Sequence, residues 1–76
     1  MHRHEQDFRE GLNAYMEDKL IKSTSVADKS GIRRDTFSRI LNGGRRIYAD
    51  EAAAICESLD VEFEYLLKYK KQTFVR

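Results

Sequence analysis

Apolar residues recur at intervals of three and four in five short blocks, each closed by a polar or glycine-bearing break, and this period predicts helices throughout. Phe8, Leu12, Tyr15 and Met16 form the first block, predicting a helix over about Asp7–Lys19, with Leu20 continuing the row. Gly11 lies inside it. A mid-helix glycine costs roughly 1 kcal/mol relative to alanine, so its presence suggests close approach by another helix. The hydroxyls of Lys22-Ser23-Thr24-Ser25 suit a helix start, and a second helix is expected from there to Lys29 or Ser30, with Val26 and Ala27 as its apolar patch. Gly31 ends it, since glycine takes the left-handed geometry of a tight helix ending. A third helix, Arg34–Asn42, carries Phe37, Ile40 and Leu41 and stops at Asn42-Gly43-Gly44. After a loop anchored by Ile47, a fourth helix over Ala49–Leu59 turns Ala52, Ile55, Cys56 and Leu59 inward. Asp60-Val61 makes a short break, and a fifth helix covers about Glu62–Tyr69 with Phe63, Leu66 and Leu67 on its inner side. With no proline and no alternating strand pattern, the expected class is all-α, a bundle of five short helices.

Seventy-six residues make one domain, near the lower size at which a chain buries a core without staples. Residues 1–6 and 70–76, the latter carrying Phe74 and Val75, read as flexible tails. A single cysteine, Cys56, excludes an intramolecular disulfide and points to a reducing compartment. His2 and His4 make a poor metal site, and no carboxylate or cysteine cluster completes one. No run is apolar enough to span a bilayer and the N-terminus is too polar for a signal peptide, so the cytosol is the expected location. Nor can a nucleophile, base and orienting group be named, and Gly43-Gly44 lacks the preceding strand of a nucleotide loop. No enzyme activity and no cofactor are expected.

Charge changes this picture. The net charge is only +1, yet residues 33–48 hold Arg33, Arg34, Arg39, Arg45 and Arg46 against the single acid Asp35. That is a local excess of four positive charges on a scaffold of net −3. A lone surface arginine is ordinary; five so close together point to a nucleic-acid surface.

Val26-Ala27-Asp28-Lys29, Gly31-Ile32, Phe37, Ile40, Asn42-Gly43 and Leu59-Asp60-Val61, in that spacing, resemble the Cro/CI-type helix-turn-helix of lambda-repressor-like domains, over about residues 8–69. The signature alanine falls at Ala27, the turn glycine at Gly31 and the buried positions of the recognition helix at Phe37 and Ile40. The resemblance implies a helix-turn-helix at the second and third helices, and a small phage or prophage regulator that binds a double-stranded DNA operator. By it, Arg34, Asp35, Ser38 and Arg39 match the groove-facing positions, with Arg33 and Thr36 beside them, while Ser23, Asn42, Arg45, Arg46 and Tyr48 match phosphate-contacting ones. Each has a plainer reading: Asn42 as a cap of the third helix, Tyr48 as a ring packed on the fourth, Thr36 as a helix-start residue. Asp35 is the clearest departure from the pattern, since a carboxylate in the groove must accept from a cytosine amine or be neutralised by Arg34 or Arg39. Ser23 stands for the usual glutamine, Phe37 for a β-branched residue, and Leu20 where glycine often ends the first helix.

The leading expectation is therefore a sequence-specific regulator acting as a homodimer, with Tyr65, Tyr69, Phe74 and Val75 as candidate dimer contacts. The alternative is an antirepressor that keeps the fold and docks on a cognate repressor protein, or an antitoxin.

Overall fold

A computed structural model describes residues 3–69, with side chains from His4 onward; Phe74 and Val75 lie outside the described residues. The elements are α1 (Arg3–Lys19), α2 (Ser23–Ser30), α3 (Arg34–Asn42), α4 (Ala49–Leu59) and α5 (Phe63–Lys68). α2, α3 and α4 run as their sequence pattern predicts. α1 starts four residues earlier than its apolar pattern indicates, because polar pairs hold its first turns. Glu5 and Arg9 form an ion pair one turn apart, and Gln6 Nε2 donates to Glu10 Oε2 at 3.0 Å. α5 is shorter than expected by a residue at each end.

One device ends the first four helices. A left-handed residue follows the last turn, its N–H returning to the carbonyl three back, and the next N–H reaches five back. The left-handed residues are Leu20 (φ 57°), Gly31 (78°), Gly43 (83°) and Asp60 (58°). The longer bonds run from Ile21 N to Met16 O, Ile32 N to Ala27 O, Gly44 N to Arg39 O and Val61 N to Cys56 O, all between 2.9 and 3.0 Å. Ile21, Ile32 and Val61 then fold back onto the core as partly buried side chains. Each helix is thereby stopped and its successor aimed by the same few atoms.

Leu20 is a correction to the sequence reading. It is not part of the α1 stripe but 89% exposed, and it occupies a conformation that costs an L-residue with a Cβ. Leu20→Gly should therefore stabilise the domain by about 0.5–1 kcal/mol, the relieved strain outweighing the extra chain entropy. Chemical denaturation would read this as a higher midpoint at unchanged slope. The Ser23–Ser25 hydroxyls do not cap α2 either; Lys22 is the N-cap and makes no side-chain capping bond.

The core is built from Phe8, Leu12 and Met16 of α1, Val26 and Ala27 of α2, Phe37 and Ile40 of α3, Ala52, Ile55 and Cys56 of α4, and Leu66 of α5. α1 packs chiefly on α5, and α2 on α4 and α3. Phe63, expected inside, is partly exposed and stacks on Phe8 with ring centroids 5.0 Å apart. Burial pushes the Cys56 thiol above its ordinary pKa, which suits a structural role. On the outer side of α1 and α5, Tyr15, Tyr65 and Tyr69 meet edge to face or tilted at 5.4–5.8 Å. Tyr69 Oη donates to Asp18 Oδ2 at 2.7 Å, and that bond to a carboxylate pushes its pKa up to about 12.

Candidate nucleic-acid interface

α2 and α3 form the helix-turn-helix. The turn between them is closed by the Gly31 ending, and Phe37 and Ile40 anchor the inner side of α3 in the core. That leaves Arg34, Asp35, Ser38, Arg39 and Asn42 on its exposed side, with Thr36 half-buried beside them. The sequence-predicted groove residues are thus brought onto one face of one helix, and Arg33, its exposed N-cap, lies at the same end.

Charge on this face is internally arranged. Asp35 is neutralised by Arg33, not by Arg34 or Arg39: Arg33 Nε lies 3.3 Å from Asp35 Oδ1. The same Oδ1 accepts from Thr36 N at 2.9 Å, placing the anion in the first turn, where the helix dipole favours it. Arg34 turns back across the turn to α2. Its Nε donates to Asp28 Oδ1 at 3.2 Å and its Nη2 to Asp28 Oδ2 at 2.7 Å. The pair holds the Asp28 carboxyl below its ordinary pKa and Arg34 above its own, by hydrogen bonding first and charge second. Arg39 and Arg46 are exposed and form no ion pair with any described residue.

The expected phosphate-contacting residues separate into two groups. Ser23 and Asn42 are exposed at helix ends, at the start of α2 and the close of α3. Asn42 is not the C-cap of α3, because Gly43 takes that position in the left-handed region, which a side chain with Cβ enters only at a cost. Arg45 is half-buried and structurally engaged. Its Nη1 donates to both carboxylate oxygens of Glu51, at 2.9 and 3.0 Å, and its guanidinium lies 5.4 Å from the Tyr48 ring centroid. Glu51 also accepts from Tyr48 N at 3.1 Å, closing the first turn of α4. Tyr48 itself is 54% exposed, with the Arg45 guanidinium over its ring.

The residues that aim this surface were missed by sequence reasoning, and they come from α1. Arg9 Nε donates to Ile40 O at 2.7 Å and its Nη2 to Arg45 O at 3.0 Å, while Glu5 Oε2 accepts from both Arg9 Nη2 and Ile47 N. Asn13, one turn on, donates to Leu41 O at 3.1 Å. Arg9 and Asn13 thus bring side-chain donors to the Ile40 and Leu41 carbonyls at the C-terminal end of α3, Ile40 O accepting from Gly43 N as well, and the Glu5–Arg9 pair fixes the loop behind it. Their i, i+4 spacing on α1 was visible in the sequence, but nothing there tells which distant carbonyls they meet. Lys22 was also overlooked; it stands exposed at the entrance of α2.

Two helices crossing at a glycine-ended turn, the second presenting a polar face with its other side in the core, define a helix-turn-helix domain. The family profile of the Cro/C1-type HTH DNA-binding domain matches residues 11–72, and the chain belongs to that family. Comparison with curated proteins gives no match, and neither does comparison with solved structures. Among the described residues, no helix is long and apolar enough to cross a membrane.

Proposed function

We propose that the chain is a sequence-specific transcriptional regulator that lays α3 in the major groove of operator DNA. Arg34, Asp35, Ser38 and Arg39 face base edges, with Arg33 and Thr36 at the entrance, and Ser23, Asn42, Arg45, Arg46 and Tyr48 lie along the phosphates, joined by Lys22. The observation that carries this reading is the exposed side of α3 in a chain of this family: it is polar and carries Arg39, which, like the exposed Arg46 of the following loop, forms no ion pair with any described residue. Arg45 contributes mainly by holding the loop, since its guanidinium is shared with Glu51. One recognition helix reads only a half-site, so binding as a homodimer on a symmetric operator belongs to the same proposal. Of the candidate dimer contacts, Tyr65 is exposed and Tyr69 half-buried against α1.

Binding to a pool of duplexes with a randomised central segment tests this directly. Wild-type protein should enrich a defined, symmetric sequence, and its affinity should fall with salt by about 0.9 logarithmic units per neutralised phosphate. Arg46→Ala should flatten that slope by about one contact without changing the enriched sequence. Arg39→Ala should instead alter preference at a base position. Salt-independent or absent retention of every duplex would refute DNA reading; copurification with a repressor in high salt without DNA would then support the antirepressor role.

A further inference from the structure

Among the described residues, Asp28 and Arg34 form the side-chain bridge across the turn of the helix-turn-helix, and it holds a particular edge of the guanidinium. A guanidinium carries five N–H groups in a rigid plane. The Nε–H and one Nη2–H are used on the two oxygens of Asp28. Both N–H groups of Nη1 and the second of Nη2 remain; one of the Nη1 pair points alongside the free Nη2–H, and this end-on fork matches the paired acceptors O6 and N7 of guanine.

The bridge has little to do for the fold. Both side chains are well exposed, 57% for Asp28 and 64% for Arg34, and exposed ion pairs add little to stability. An acid on a surface facing phosphates is also unfavourable in itself. What the bridge does accomplish is to remove freedom from a long side chain before any ligand arrives. Asp28 stands three residues before Gly31 on the last turn of α2, and Arg34 opens α3, so the rigid turn fixes the carboxylate relative to the helix it serves.

We infer that Asp28 is a specificity-determining positioning residue, holding the Nε–Nη2 edge of Arg34 so that its Nη1–Nη2 edge is presented as a fixed fork for one guanine. The inference rests on the proposed DNA reading. Adenine shows N7 as acceptor but an N6 amine as donor, and a fork of two donors held in place meets that amine unfavourably. An untethered arginine escapes this penalty by tilting onto N7 alone or swinging to a phosphate. Removing the tether should therefore lower discrimination more than affinity, and the lost negative charge should steepen the salt dependence.

The experiment uses the full chain, the same pool of randomised duplexes, and the variants Asp28→Ala, Asp28→Asn and Arg34→Ala. Wild type should prefer guanine over adenine at one half-site position by about tenfold or more. Arg34→Ala should abolish that preference. Asp28→Ala should reduce it to about threefold, with preferences elsewhere unchanged and a salt slope steeper by up to about 0.9; Asp28→Asn should lie between. In DNA-free protein, the Arg34 Nε–H resonance should be slow to exchange in wild type and fast in Asp28→Ala, while thermal melts confirm that all variants fold. Full guanine preference in Asp28→Ala, lost in Arg34→Ala, would overturn the role of Asp28 and leave the DNA reading standing. An unchanged enriched sequence in Arg34→Ala would overturn it too. If even wild type shows no salt-sensitive retention, the DNA reading falls and takes this inference with it.

Discussion

Gly11→Ala should destabilise the domain severely, lowering its melting temperature by roughly 10–25 °C, or about 2–4 kcal/mol. Helix propensity alone gives the opposite sign, since alanine in the middle of a 17-residue helix is favoured over glycine by about 1 kcal/mol. Packing decides the matter. A Cβ at position 11 would collide with the Leu66 carbonyl oxygen and lie 2.8 Å from its carbonyl carbon, both backbone atoms of α5. No side-chain rotation relieves a backbone collision, so α1 and α5 must separate. That contact is the main one α5 makes with the rest of the bundle, and it sets Leu66 and the Phe8–Phe63 stack. The α5 amides should show accelerated hydrogen exchange before global melting, whereas Ala14→Gly, at a half-buried position on the same helix, should cost only the propensity difference. A Gly11→Ala melting temperature equal to or above wild type would mean that α5 docks differently.

Arg9→Met should cost about 2–3 kcal/mol, the second largest single effect expected. The side chain of Arg9 is 11% exposed and that of its partner Glu5 21%, so both charges are largely removed from water and each depends on the other. Methionine keeps much of the aliphatic stem but removes every donor. It leaves Ile40 O and Arg45 O without their side-chain partner and leaves Glu5 with Ile47 N alone. Two signatures separate this from a loss of packing. Exchange should rise in residues 43–48 and at the end of α3 well below the melting transition. The double variant Glu5→Gln, Arg9→Met should recover part of the loss, because the isolated carboxylate is then neutral. Loosening the loop that carries Arg46 should also weaken DNA retention at temperatures where the variant is folded. A double variant no more stable than Arg9→Met would show that the stranded charge is not the source of the cost.

Apolar spacing, together with turn glycines, was sufficient to place α2, α3 and α4 from the sequence, because local period and chain reversal are local properties. The same spacing put Phe37 and Ile40 inside and so put Arg34, Asp35, Ser38 and Arg39 outside, since a helix that buries one side exposes the other. Gly11 was recognisable as a close approach, though not which strand of backbone approaches it. The start of α1 was not legible, because polar i, i+4 pairs and not apolar residues hold it. Nor was Leu20, whose apolar side chain fits the α1 period although its backbone has already left the helix.

Tertiary structure alone decided the partners of the charges. Arg34 follows Asp28 by six positions and Ile40 follows Arg9 by thirty-one, and a side chain with several rotatable bonds meets whichever carboxylate or carbonyl the packing brings within reach. The sequence by itself determined that a helix-turn-helix would form and which of its sides would be polar. Which arginines are committed to the scaffold, as Arg9 and Arg45 are, which are held by an acid, as Arg33 and Arg34 are, and which form no ion pair with any described residue, as Arg39 and Arg46, followed only from how the helices pack. Charge is a property of the residue, whereas its availability depends on what stands within about 3 Å of it.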